Sequence, residues 1–181
     1  MRTRLLILLA VAGIACTIAV AAGARSNRST ISGPAPRLPA LPAKGPSPTH
    51  RCPIPATLRP AFVRAADDTG FQLSMLVAVA QVESRLQPDA RSTMDARGLL
   101  QVMPATGASL KLDVDKPSQN VLAGARYLRL LLDRYARTDL ALAAYNVGPT
   151  TIDRAGGVLG PIGMHYVRDI EQRWAQLAGC S

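Results

Sequence analysis

Aromatic side chains are scarce in this chain of 181 residues, at 4%, and histidine occurs twice, as His50 and His165. Neither histidine has a neighbour at ligand spacing, which argues against a metal site. No stretch alternates apolar and polar residues as a half-buried strand would, and no segment repeats another. The apolar content is mostly Ala, Leu and Val, which favours helix over strand. Acidic residues are missing from the first 50 positions. There Arg2, Arg4, Arg25, Arg28, Arg37 and Lys44 account for six of the 21 basic side chains, so residues 51–181 hold the other 15 against all 12 acids. The formal charge of +9 therefore belongs mainly to the N-terminal part. No basic patch is interleaved with aromatics, which argues against nucleic acid as a partner.

What is present divides into three parts. Residues 1–24 pair a basic start, Met1-Arg2-Thr3-Arg4, with an uncharged run from Leu5 to Ala24. Such a segment is an export signal or a membrane anchor. Its weakly hydrophobic second half and the small-x-small ending Ala22-Gly23-Ala24 fit a cleaved signal peptide. An uncleaved anchor is the second reading. Lipidation at Cys16 is the third, although Gly13-Ile14-Ala15 lacks a large aliphatic residue at the start of a lipobox. All three readings place the remainder outside the cytoplasmic membrane, in the periplasm, the cell envelope or the medium. Residues 25–50 carry Pro34, Pro36, Pro39, Pro42, Pro46 and Pro48 among Gly and Ser, the composition of an extended tether. Residues 51–181 form the folded domain. Cys52 and Cys180 bracket it, and in an exported protein that placement predicts one disulfide.

The domain is organised around Leu73–Gln101. Between Leu73 and Val82 only Ser74 and Gln81 are polar, so the helix written there is buried rather than amphipathic. Pro88 bars easy continuation beyond Gln81-Val82-Glu83-Ser84-Arg85. Glu83 thus sits at the C-terminal end of a core helix, where desolvation and the negative end of the helix dipole both raise its pKa. A carboxyl that stays protonated near neutral pH is suited to general acid catalysis. An exposed glutamate in a fraying last turn is the plainer alternative.

The other elements follow from periodicity and punctuation. Leu58–Asp68 reads as a helix stopped by Gly70, and Gly98-Leu99-Leu100-Gln101-Val102-Met103-Pro104 as the start of another helical stretch. A long helix after Pro117-Ser118 repeats apolar residues at Val121, Ala125, Leu128, Leu132 and Tyr135, with Asp133 four before Arg137. Asp139 is an N-cap candidate for Leu140–Asn146, which Gly148-Pro149 terminates, and Ile162–Leu177 closes the domain. The fold class is all-α.

Four segments stand in a particular order: Glu83-Ser84; Gly98-Leu99-Leu100-Gln101-Val102-Met103-Pro104; Gln119-Asn120-Val121-Leu122-Ala123-Gly124-Ala125-Arg126-Tyr127-Leu128; and Ala144-Tyr145-Asn146-Val147-Gly148-Pro149. The set resembles the soluble lytic transglycosylase catalytic domain, a goose-lysozyme-like α-fold that cleaves bacterial peptidoglycan. The resemblance covers roughly residues 60–175. It implies that Glu83 is the single catalytic acid/base, that Ser92 hydrogen-bonds in the active site, and that Gln101 and Met103 line the substrate groove. It also implies that the Tyr145 hydroxyl lies near the reacting sugar, with Asn146 its polar neighbour. Tyr166-Val167 resembles the closing Tyr-Val of the pattern. The glutamate that some members carry one turn earlier is Ile162 here, and the usual Gly-Ala before the second motif reads Asp95-Ala96-Arg97-Gly98. Taken singly, Tyr145-Asn146 is also an ordinary helix end, Met103 core filler, and Ser92 a common loop residue.

By the same resemblance, Glu83 protonates the glycosidic oxygen leaving the MurNAc anomeric carbon and then takes the proton of the MurNAc 6-hydroxyl as a 1,6-anhydro ring closes. No cofactor or metal is needed, and the partners are peptidoglycan glycan strands. The membrane is engaged only through an uncleaved N-terminus. Service to a secretion or conjugation machine is compatible with the sequence, as is wall turnover. A hydrolytic muramidase using Asp89 or Asp95 as second carboxylate is one alternative, and a non-catalytic wall-binding protein that kept the fold is another.

Overall fold

The helix that organises the domain is buried along almost its whole length. In the structure, a computed structural model that describes residues 50–181, Met75 through Ala80 are all buried. Each large apolar side chain among them contributes roughly 1.5–3 kcal/mol by leaving water, an upper estimate because the unfolded chain is already partly collapsed. The expectations for residues 1–24 and for most of the tether lie outside the described residues. Seven helices are present among the described residues: α1 (Arg59–Thr69), α2 (Leu73–Ser84), α3 (Pro104–Ser109), α4 (Pro117–Tyr135), α5 (Thr138–Val147), α6 (Pro149–Arg154) and α7 (Pro161–Gln176). The described residues contain no strand beyond isolated bridges.

Proline does much of the punctuation. It occupies the first turn of α1, α3, α4, α6 and α7, where its missing N–H goes unused and its fixed φ suits the helix. Helix α2 packs between α1 and α7, and α5 packs against α4, α6 and α7. Arg85 and Leu86 both take left-handed conformations (φ 55° and 62°), and their N–H groups return to Gln81 and Ala80. That double reversal ends α2 at Ser84, one residue past Glu83.

Three local expectations are corrected, and a fourth is met with an addition. Residues 98–102 are not helical: Gly98 and Gln101 have φ of 69° and 45°, and the segment is a turn pinned at Arg97 and Val102. Helix α5 begins at Thr138, so Asp139 lies within its first turn instead of capping it, where it pairs with Arg137. Asp133 pairs back to Arg129, because Ala136 leaves the helix at φ 51° before Arg137 can come round. Gly148-Pro149 ends α5 as expected, but the proline at once starts the short α6.

Cys52 and Cys180 are joined (S–S 2.04 Å, Cα–Cα 4.7 Å) across 128 residues of sequence. On the chain-entropy view a loop of that size stabilises the fold by about 4–5 kcal/mol, and native bonds typically deliver 2–4 kcal/mol. Replacing both cysteines by serine should therefore lower the unfolding free energy by about 2–4 kcal/mol in urea titrations. Reactive thiols at both positions in native, non-reduced protein would contradict the bond.

Candidate active site

Glu83 lies in the last turn of α2, partly buried. Its Oε1 accepts a hydrogen bond of 2.5 Å from the hydroxyl of Tyr166, a buried residue of α7. Burial raises the Glu83 pKa from 4.5 to about 7, against the opposing effect of the Tyr166 hydrogen bond. Helix α7 can bring Tyr166 in because Gly163, three residues earlier, faces Ala143 of α5: a Cβ at Gly163 would come within 3.2 Å of that methyl.

A second phenol completes the cluster. The Tyr145 hydroxyl donates to the carbonyl of Leu100 at 2.7 Å. Burial, then the charge of Glu83, then Tyr127 hold its pKa well above the usual value for a phenol. Tyr166 is raised likewise by burial, the charge of Glu83, and Tyr145. Both phenols thus stay protonated across the working range of Glu83. Tyr127 packs on Tyr145 with ring centroids 5.5 Å apart.

The turn carrying Leu99 and Leu100 is the other wall, and it is fastened from two sides. Ser84, next to Glu83, donates to the Leu99 carbonyl (2.8 Å) with the Ala80 carbonyl also in reach (3.1 Å). Asn120, fully buried in α4, accepts from the Leu100 N–H (2.9 Å) and donates to the carbonyls of Arg97 (2.7 Å) and Val114 (2.9 Å). A side chain at Gly98 would meet Asn120 Nδ2 at 2.6 Å, and its φ of 69° itself favours glycine. At Gly124, one turn along α4, a Cβ would lie 2.5 Å from Leu100 Cδ1 and 2.8 Å from the Tyr145 hydroxyl.

The remaining expected site residues are placed differently. Ser92 is exposed, and its Oγ accepts from the N–H groups of Met94 (3.2 Å) and Ala96 (3.0 Å), shaping its own loop. Gln101 spends both amide N–H groups on the carbonyls of Ala90 (3.2 Å) and Gly98 (2.9 Å), so that only its Oε1 is left for a ligand. Met103 is 41% exposed, which excludes the core-filler alternative. Asn146 is exposed at the end of α5. Among the described residues none of these four hydrogen-bonds to Glu83, whereas Tyr166, not among the expected site residues, does. The sequence held two signals for it: the likeness of Tyr166-Val167 to the closing Tyr-Val of the pattern, and a tyrosine in register with Val167 and Ile170 on a core-facing stripe, whose hydroxyl must find a partner.

Neither aspartate proposed as second carboxylate is poised for that task. Asp95 is exposed and held by Arg97 through two contacts of 3.0 Å, which keep its pKa below the usual value. Asp89 is exposed at the start of the same loop. Among the described residues no three His, Cys, Asp or Glu side chains gather as a metal site.

Known proteins are similar to this chain in sequence and in fold. The chain is 40% identical over 95 residues to the membrane-bound lytic murein transglycosylase F of Alcanivorax borkumensis, covering 48% of this chain and 20% of that protein. It is 43% identical over 75 residues to a transglycosylase of Enterobacteria phage PRD1, covering 41% and 28%. The chain thus spans well under a third of these relatives' length. In structure it is similar to the lytic transglycosylase Slt of Pseudomonas aeruginosa (TM-score 0.59, 24% identity, 71% of this chain and 25% of that one). It is also similar to the 70-kDa soluble lytic transglycosylase of Escherichia coli (TM-score 0.54, 21% identity, 67% and 24%). These likenesses show an all-α, lysozyme-like fold. The family described as Transglycosylase SLT domain matches residues 60–158, more than half of the sequence, and the chain belongs to that family.

Proposed function

We propose that this chain is a peptidoglycan lytic transglycosylase in which Glu83 carries both proton transfers. The observation that carries the reading is a lone carboxyl whose pKa is raised to about 7 by burial, between two phenols that stay protonated. At neutral pH a substantial fraction of Glu83 holds its proton, and the group is also basic enough to take one back. In the first step Glu83 gives its proton to the glycosidic oxygen as the bond to the MurNAc anomeric carbon breaks. The substrate's own N-acetyl group shields the carbon. In the second step the Glu83 carboxylate removes the proton of the MurNAc 6-hydroxyl, whose oxygen bonds to the anomeric carbon. The proton count closes without water, so no second carboxylate is required, and Asp89 and Asp95 are free for other tasks. Ser92, Gln101, Met103, Tyr145 and Asn146 contribute to sugar binding in this reading. Residues 1–24 export or anchor the domain and residues 25–50 tether it in the cell envelope, in keeping with relatives named membrane-bound.

Mass spectrometry of glycans released from purified sacculi tests the reaction. Ends carrying 1,6-anhydroMurNAc are expected. Reducing MurNAc as the main product would establish hydrolysis instead, and release of nothing by folded protein would leave a wall-binding role.

Tyr166 acts on Glu83 as a positioning residue. Its hydrogen bond lowers the Glu83 pKa, so Tyr166→Phe should move the alkaline limb of the pH–rate profile upward. The freed carboxyl loses its fixed orientation, and turnover should drop about tenfold. A slower variant with an unmoved alkaline limb would reduce Tyr166 to packing.

A further inference from the structure

The short hairpin of residues 90–98 places two like charges face to face. The Gly98 N–H reaches the Ala90 carbonyl (2.8 Å) and the Ser92 N–H the Ala96 carbonyl (3.0 Å), so Arg91 stands directly opposite Arg97. In this kind of antiparallel pair the side chains come closest, and like charges placed so repel. Two aspartates offset them. Asp95 meets Arg97 through two contacts of 3.0 Å and Arg91 at 3.7 Å. Asp115, from the segment leading into α4, meets Arg97 at 2.7 Å and Arg91 at 2.9 Å. The four charges alternate around a closed ring and sum to zero. Asp95 sits at φ 65°, which glycine takes without strain, and glycine is what the pattern usually carries there. A carboxylate is kept at that point at local backbone expense.

The ring is the outer of two ties on one turn. The inner tie is Asn120, which joins the carbonyls of Arg97 and Val114. The ring joins the same two stretches of backbone again at the surface, through Arg97 and Asp115. Arg97 also exchanges both backbone hydrogen bonds with Val102 (3.1 and 2.9 Å). It thus closes the turn that presents the Leu99 carbonyl to Ser84 and the Leu100 carbonyl to Tyr145.

We propose that Arg91, Asp95, Arg97 and Asp115 form an ionic latch that holds this turn in its working position and makes turnover sensitive to salt. The proposal rests on the transglycosylase reading above, in which Glu83 and Tyr145 act beside that turn. Among the described residues none of the four is hydrogen-bonded to Glu83, so they are positioning residues, acting through the Leu99 and Leu100 carbonyls. Arg91, Asp95 and Asp115 are exposed and Arg97 is half-buried. A single exposed ion pair contributes little. What gives this ring its weight is the repulsion it cancels. Without Asp95 two facing arginines share one carboxylate, and the hairpin is pushed open at the base that carries Gly98. Salt acts on both terms, because charges in water are screened within about 10 Å at 0.1 M ionic strength.

Asp95→Gly in the full chain tests the latch, since glycine suits the left-handed position and removes only the carboxylate. On soluble glycan strands at low salt, kcat should fall about three- to tenfold with KM little changed. Sodium chloride then separates charge from packing. Raised from about 0.05 to 0.5 M, it should lower kcat of the native protein by weakening the ring, and raise kcat of the variant by screening Arg91 from Arg97. Arg91→Gln/Asp95→Gly leaves one matched pair, Arg97 with Asp115, and should recover about half or more of the native kcat. Such recovery would not occur if Asp95 were itself a catalytic carboxylate. Native kcat in Asp95→Gly, the same salt response in both proteins, or no recovery in the double variant overturns the latch. If the native protein cleaves no glycan, the enzymatic reading fails by itself, and amide hydrogen exchange decides on the latch. Protection at Gly98, Leu100 and Val102 should fall with salt in the native chain, rise with salt in Asp95→Gly, and return in the double variant. Protection indifferent to salt and to these substitutions rules the latch out.

Discussion

Glu83→Gln should lower the rate of release of glycan fragments by about 10²-fold or more while making the protein more stable at neutral pH. Glutamine keeps the size of the side chain and an oxygen that can accept from Tyr166, so packing and the hydrogen bond persist. It has no proton to deliver and cannot recover one. The stability gain follows from linkage. Below pH 4.5 the carboxyl is protonated in folded and unfolded chains alike, and Glu83 adds no penalty. As pH rises from 4.5 towards about 7 the unfolded chain releases the proton that the folded chain retains, so folding weakens progressively. Above that range the full penalty is present, on the order of 3 kcal/mol as an upper bound. The variant should therefore unfold at higher urea than the native protein near pH 8 and at the same urea near pH 4. A folded Glu83→Gln protein with undiminished activity would remove Glu83 from the mechanism. Unchanged activity loss but equal stability at both pH values would mean that the carboxyl is solvated.

What could be read from the sequence, and what could not, follows from the range of the interactions involved. The α2 helix, its burial and its stop are local: an apolar run, then Pro88, with Glu83 left at the end. The starts of α1, α4 and α7 are likewise legible to within two residues, at Leu58, after Pro117-Ser118 and at Ile162, and the disulfide from Cys52 and Cys180 standing at the two ends of a domain read as exported. The Gly98–Val102 segment was misread because Leu99, Leu100 and Val102 carry an apolar spacing that a helix could use. The turn they form is dictated by Asn120, twenty residues on from Leu100, through bonds no local pattern announces. Tyr166 reaches Glu83 across 83 residues, and only the packing of α7 on α2 brings them together. Ser92 and Gln101 show the converse limit. Their polar atoms read as ligand-facing, yet most of their hydrogen-bonding capacity goes to holding the loop of residues 90–101 in shape.

The largest effect on folding is expected from Asn120→Ala. The Asn120 carboxamide is completely buried and meets three backbone groups at once: the Leu100 N–H and the carbonyls of Arg97 and Val114. Alanine takes the partner from the Leu100 N–H and the Val114 carbonyl, while the Arg97 carbonyl keeps only its bond from the Val102 N–H (2.9 Å). A buried backbone group without a partner costs about 1–3 kcal/mol, and the lost volume adds a cavity term. Together these give about 3–5 kcal/mol, a large part of the 5–15 kcal/mol typical of a whole domain. The melting temperature should fall by roughly 10–20 °C. Activity should fall further than the loss of folded protein explains, because the same turn fixes the site from behind. Leu100 receives the Tyr145 hydroxyl through its carbonyl, and Leu99 receives Ser84 beside Glu83. Asn120→Asp separates the two contributions. It retains an oxygen for the Leu100 N–H but presents a carboxylate to two carbonyl oxygens, so it should be no better than alanine near pH 7 and should recover in part as acid protonates the new group. Calorimetry of the three proteins across pH checks both statements. A melting temperature for Asn120→Ala within a few degrees of the native value would mean that the Gly98–Leu100 turn holds its shape without the carboxamide.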